Sequence, residues 1–179
     1  MGMLALKELF SQLDEHTDPV PLDLLTQRLE DLDVRTDDLE PFERFSQSHY
    51  QRNLVHRGPA YHALLLCWLN GQRSPIHDHR GSACAVRVIR GAATETLFAP
   101  GANGLIYATG SEVFSEGTVI GSQDSDMHQI SNLQAAEADL VTLHIYSPPL
   151  FVMGRYSLTD ARIGEFVDPI FEFAEGLGI

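Results

Sequence analysis

Apolar residues recur at helical spacing through roughly the first 46 positions, and then the rhythm changes. Leu6, Leu9, Phe10 and Leu13 form one stripe. Leu22, Leu25, Leu29 and Leu32 form a second, with Pro21 placed for its first turn. Leu39, Phe42 and Phe45 form a third, behind Thr36 and Asp37, residue types that cap helix starts. From about Ser48 to Tyr156 the segments are short and rich in Val, Ile, Leu, Thr and aromatics. Asn70-Gly71, Arg80-Gly81, Gly101 to Gly104, Gly110, Gly117 and Gly121 punctuate them. Many short strands separated by turns predict an all-β sandwich or barrel. The stretch from Asp160 to Gly176 is expected to form a short helix, and Pro169 keeps it from being a long one. The pattern divides the chain into an N-terminal helical segment, 1–47, and a β-barrel with a short C-terminal extension, 48–179, as one structural domain.

Composition narrows the function classes. A chain of 179 residues suffices for one domain with a proper core. Twelve Lys and Arg against 25 Asp and Glu give a net charge of −13, which argues against a phosphate backbone or an anionic membrane as partner. No apolar run reaches the roughly 20 residues of a membrane span. Met1 to Asp14 carries Lys7, Glu8 and Asp14 among its leucines, so no secretory leader is expected. Only two cysteines are present, and Cys67 sits in the apolar run Leu64 to Leu69 as an expected core residue. Sparse cysteine fits a reducing cytoplasm.

Candidate chemistry comes from the eight histidines. His16, His49, His56 and His62 are scattered and are expected on the surface or in the core. His77 and His79 stand two apart in Pro75-Ile76-His77-Asp78-His79, and alternate residues of a strand share a face. Gly71 lies six before His77 and Gly91 twelve after His79, the spacing of the first cupin motif. Cys84 stands where that motif has a metal-binding glutamate. Gly117, His128 and Asn132 keep the spacing of the second cupin motif, with Gln123 and Ser125 replacing its Pro and Gly. The expected fold is mainly β: a cupin (jelly-roll) barrel with N-terminal helices packed against it. Its metal site would offer three neutral nitrogens, from His77, His79 and His128, without the carboxylate usual in non-haem iron oxygenases. An anionic substrate ligand, such as a thiolate, would restore the charge balance.

From Tyr50 to Pro149 the sequence resembles the cysteine dioxygenase family. The likeness rests on Tyr50-Gln51-Arg52-Asn53, Leu66-Cys67-Trp68 ahead of Ser74 to His79, Glu95-Thr96-Leu97-Phe98, and His144-Ile145-Tyr146-Ser147-Pro148-Pro149. The resemblance implies Fe(II) on His77, His79 and His128, and oxidation of L-cysteine by O2 to cysteine sulfinic acid. It implies that Arg52 grips the substrate carboxylate, with Tyr50 lining the same pocket. It further implies that Tyr146 points at the metal, that His144 orients its hydroxyl, that Cys84 is the partner for a thioether to Tyr146, and that Ser147-Pro148 is cis. A monomer is the family expectation. Phe151-Val152-Met153 departs from mammalian members, so the pocket is expected to be more apolar if that segment touches substrate. A dioxygenase of 3-mercaptopropionate or another small thiol is the alternative, and a non-catalytic metal-binding cupin is a further one. Relatives preferring mercaptopropionate have glutamine in place of Arg52 and lack the Ser-Pro-Pro segment.

Overall fold

The computed structural model describes residues 2–123, 126–135 and 138–173. Ser125 of the second cupin motif lies outside them. Three helices come first: α1 (Gly2–Leu13), α2 (Leu22–Glu30) and α3 (Thr36–Leu39), the last running into a 3-10 turn at Glu40–Phe42. The strands are β1 (Gln51–Arg57), β2 (His62–Trp68), β3 (Ile76–His77), β4 (Ala83–Arg90), β5 (Ala92–Pro100) and β6 (Ile106–Ser115). They continue with β7 (Val119–Gln123), β8 (Met127–Ser131), β9 (Leu140–Ser147), β10 (Met153–Tyr156), β11 (Gly164–Phe166) and β12 (Ile170–Phe171). Among the described residues, no helix is long and apolar enough to cross a membrane.

Helices this short are marginal alone in water, and packing holds them. Leu6, Leu9, Phe10 and Leu13 of α1 and Leu25 and Leu29 of α2 are buried in one cluster with Ala63, Leu65, Cys67, Ala85, Leu143 and Ile145 of the strands, α2 lying against β4 and β7. Each such leucine contributes about 1.5–3 kcal/mol by leaving water. The third stripe is only partly helical. Pro41 follows the end of α3, where the chain tightens to the 3-10 turn, and Phe45 lies beyond it. Arg35, rather than Thr36 or Asp37, holds the N-cap position of α3, and its backbone N–H donates to Asp38 Oδ2 at 3.0 Å.

Two six-stranded sheets form the jelly roll, in the orders β12-β1-β2-β9-β4-β7 and β11-β10-β3-β8-β5-β6. They are hydrogen-bonded separately and do not form one closed cylinder. Leu64, Leu66, Trp68, Val86 and Tyr146 of the first sheet meet Ala93, Ile130 and Met153 of the second. Every residue of β2 and of β9 is buried. Alternate side chains face the helices or the sheet interior, which is why these strands read as unbroken apolar runs. Gly91 turns β4 into β5 at φ +85°, where a Cβ would sit 2.7 Å from the Asp139 carbonyl oxygen.

The expected helix after Asp160 is absent from the described residues; 174–176 lie outside them. Gly164–Phe166 pairs with β10, and Ile170–Phe171 pairs in parallel with β1, Arg52 opposite Ile170. Pro169 lacks the N–H a helix interior needs, and open sheet edges supply the backbone partners instead.

Candidate active site

The structure brings Tyr50, Arg52, His77, His79, Cys84, His128, His144 and Tyr146 to the wall of one cavity between the sheets. His77 ends β3 and pairs across the sheet with His128 on β8. His79 lies just past that two-residue strand, so a turn rather than strand alternation completes the set. Asp78 pins this turn. Its carboxylate accepts from the Gly154 N–H at 2.8 Å and the Tyr156 hydroxyl at 2.5 Å. A Cβ at residue 154 would lie 2.5 Å from an Asp78 oxygen, so any larger residue there would push this carboxylate aside.

Each ring of the trio is turned by a contact at Nδ1. His77 Nδ1 donates to the Pro75 carbonyl at 3.0 Å, His79 Nδ1 lies 3.3 Å from Ser122 Oγ, and His128 Nδ1 is 2.6 Å from Glu95 Oε1. The Nε2 atoms therefore face inward, with those of His79 and His128 3.2 Å apart. One ligand atom from each of the three lies within 4.8 Å of the others. Burial, then neighbouring His128, pushes His77 down to about 3 and holds His79 well below its ordinary value. Convergent imidazole nitrogens without a carboxylate among them fit a divalent transition metal. Glu95 places a negative charge one shell out, behind His128.

A second chain of contacts runs along β9. Trp68 Nε1 donates to Thr142 Oγ1 at 3.0 Å, Thr142 Oγ1 is 2.8 Å from His144 Nε2, and His144 Nδ1 is 3.1 Å from the Tyr146 oxygen. An indole can only donate. Thr142 accepts there and gives its own hydrogen to His144 Nε2. The hydrogen of His144 is then on Nδ1, and Tyr146 accepts it. Burial pushes His144 well down and Tyr146 well up, so the ring is neutral and the phenol keeps its proton. Cys84 stands opposite Tyr146 in the β4–β9 register, and the two side chains are hydrogen-bonded.

Arg52 is 2% exposed. Its Nη1 donates to the Asp168 carbonyl at 2.9 Å, while Nη2 is buried with no hydrogen-bond partner among the described residues. Its guanidinium lies 5.6 Å from the centre of the Tyr146 ring. Of the Phe151 to Met153 segment only Met153 lines the cavity; Phe151 is exposed and meets the His62 ring edge-on. The Ser147-Pro148 bond is cis.

Glu95, Thr142 and Asp168 had no role in the sequence reading. Glu95 carried a signal: it shares the buried phase of β5 with Ala93, where an acid needs a partner. Thr142 carried a weaker one, two residues before His144 on the same face. Asp168 is brought in by β12, which sequence did not reveal.

Acid should weaken this fold through rings outside the trio. Burial, then Arg57 and Arg52, pushes His62 down to about 4, and His144 is lowered too. In the unfolded chain both take up a proton near pH 6.5. Unfolding therefore binds protons below pH 6.5, and stability falls toward about pH 4 by roughly 1.4 kcal/mol per pH unit for each ring. Urea midpoints from pH 7.5 to 4.5 check this; a flat profile above pH 5 contradicts it.

Comparisons with known proteins give the family. The family model described as cysteine dioxygenase type I matches residues 5–159. The chain is 33% identical over 143 residues to cysteine dioxygenase type 1 of Bos taurus, covering 77% of this chain and 69% of that one. It is 32% identical over 138 residues to the Danio rerio protein of the same name, covering 74% and 68%. Among solved structures, a Klebsiella pneumoniae protein with a double-stranded β-helix domain aligns at TM-score 0.52 and 14% identity, over 72% of this chain and 87% of that one. A Halorhodospira halophila cupin 2 domain-containing protein aligns at TM-score 0.50 and 20% identity, over 63% and 73%. These structures share the fold; the sequence match over residues 5–159 goes further, and on it the chain belongs to the cysteine dioxygenase type I family.

Proposed function

We propose that this chain oxidises L-cysteine with O2 to cysteine sulfinic acid, with iron(II) on His77, His79 and His128, in a cytoplasmic setting. One observation carries the choice of substrate: the Nη2 of the Arg52 guanidinium is buried in the wall that also holds the three-histidine cluster, with no hydrogen-bond partner among the described residues. A buried donor of this kind calls for an anion, and a planar guanidinium suits a carboxylate.

Iron(II), when bound, supplies a Lewis acid that favours the substrate thiolate and a redox centre that couples it to O2. The residues of the chain do the rest. Arg52 takes the carboxylate and so fixes which end of the substrate reaches the histidines. Leu66, Ile130 and Met153 keep water away. His144 Nδ1–H donates to the Tyr146 oxygen, which leaves the Tyr146 proton to be donated. At rest it meets the Cys84 sulfur, a weak acceptor, and it turns readily to a stronger one on substrate. Cysteine plus O2 gives the sulfinic acid with no other reactant. Cys84 and Tyr146 are the pair for a thioether. That bond removes one hydrogen from sulfur and one from the ring, both passing with two electrons to O2 to give hydrogen peroxide; intact mass reads their loss.

The deciding experiment loads the protein anaerobically with Fe(II) and follows O2 uptake and product mass with L-cysteine and with 3-mercaptopropionate. Faster conversion of cysteine to its sulfinate is expected. Faster turnover of mercaptopropionate overturns the substrate assignment.

Glu95 gives a separate prediction. Glu95→Ala should lower metal affinity roughly 10- to 100-fold, the scale of an outer partner of a ligand histidine. Glu95→Gln, which keeps an acceptor without the charge, should lower it less. Chelator competition at fixed pH measures both.

A further inference from the structure

The similarity to the family model stops at residue 159, yet Asp168 is bonded to Arg52 and Tyr50, two residues of the cavity wall. Asp168 is 7% exposed. Its backbone carbonyl takes Nη1 of Arg52, and its carboxylate takes the Tyr50 hydroxyl. The parallel pairing of Arg52 with Ile170 sets this register. Pro169 biases Asp168 toward extended backbone. Tyr50 stacks on Trp68 with ring centres 4.2 Å apart, which fixes where its hydroxyl points.

A buried guanidinium needs a counter-charge nearby. A carboxylate bonded directly to it would occupy the edge that substrate must use. Here burial raises the Asp168 carboxyl above its ordinary value, and the Tyr50 hydrogen bond and then nearby Arg52 act against that rise, favouring the ionised form. Its hydrogen bond nevertheless goes to Tyr50, and Nη2 stays open.

We propose that Tyr50 and Asp168 form a latch that keeps a counter-charge beside Arg52 but off its Nη2 edge, and so sets the affinity for the substrate carboxylate. Tyr50 and Asp168 are positioning residues in this scheme, acting through Arg52, and the inference rests on Arg52 being the carboxylate receptor.

The test is steady-state kinetics with L-cysteine on full-length, Fe(II)-loaded protein, with metal content and melting temperature recorded for each variant. Tyr50→Phe frees the Asp168 carboxylate to close on Arg52. KM should rise roughly tenfold, the scale of one charge-assisted hydrogen bond, well beyond any change in kcat. Adding Asp168→Asn to Tyr50→Phe removes the competing charge while keeping size and backbone. KM should return to within about threefold of the parent. An unchanged KM in Tyr50→Phe, or no rescue in the double variant, overturns the latch. Arg52→Ala separates the two levels. If it leaves KM unchanged, the receptor reading itself fails; if it raises KM and Tyr50→Phe does not, only the latch fails.

Discussion

Replacing His77 with alanine should abolish metal binding, and with it O2 consumption, while the fold survives. The site holds three nitrogens, and two cannot retain a divalent ion against a competing chelator. The loss should exceed the roughly 100-fold seen for an outer partner of a ligand. Survival of the fold follows from how the ring is held: a neutral imidazole whose one side-chain hydrogen bond among the described residues goes to the Pro75 carbonyl. Removing it leaves a small void and no stranded charge, a cost of about 1–3 kcal/mol. His128 is the poorer test, because its loss would strand the Glu95 carboxylate in the interior. Metal content after dialysis against chelator, with a thermal melt alongside, measures both halves of the expectation. Parent-like metal content in His77→Ala would place the ion elsewhere.

Arg52→Ala should lower kcat/KM for L-cysteine by roughly 100- to 1000-fold, with metal content unchanged. Two charge-assisted hydrogen bonds to a carboxylate are worth about 3–4 kcal/mol in a dry site, and each 1.4 kcal/mol is tenfold. Arg52→Lys should recover only part, because an ammonium is a point charge and cannot match the planar carboxylate. Cysteamine, a thiol with no carboxylate, is the control. Its turnover should stay within about threefold in Arg52→Ala. An equal loss with both thiols would mean that Arg52 supports the cavity and does not select its occupant.

Much of this site was legible before any coordinates, for a physical reason. Metal ligands must be particular residue types at spacings the strands and their turns allow, and His77, His79 and His128 meet that condition between glycines that turn the chain, although a turn and not strand alternation brings in His79. Arg52, His144 and Tyr146 were readable only through family likeness, since nothing in an isolated arginine or tyrosine announces a pocket. Other features depended on tertiary pairing. Thr142 gains meaning because β2 lies beside β9 and brings the Trp68 indole to its hydroxyl. The C-terminal segment read as helix because its composition is weak in both directions. Whether it becomes strand is decided by vacant edges on β1 and β10, built from residues far away. Phe45 failed for a local reason, as Pro41 ends the helix before reaching it.

The attachment of β12 carries a last consequence, for hydrogen exchange. Two residues long, it is joined among the described residues on one side only, to β1. Segments with so few backbone bonds open by sub-global fluctuation at a fraction of the global unfolding free energy. Amides around Ile170 should therefore exchange long before those of β2 or β9, which lie inside the sheet. Whatever opens β12 also withdraws the Asp168 carbonyl from Arg52. A substrate carboxylate held by Arg52 in its closed setting must then slow that exchange, by the same factor that closure tightens its own binding.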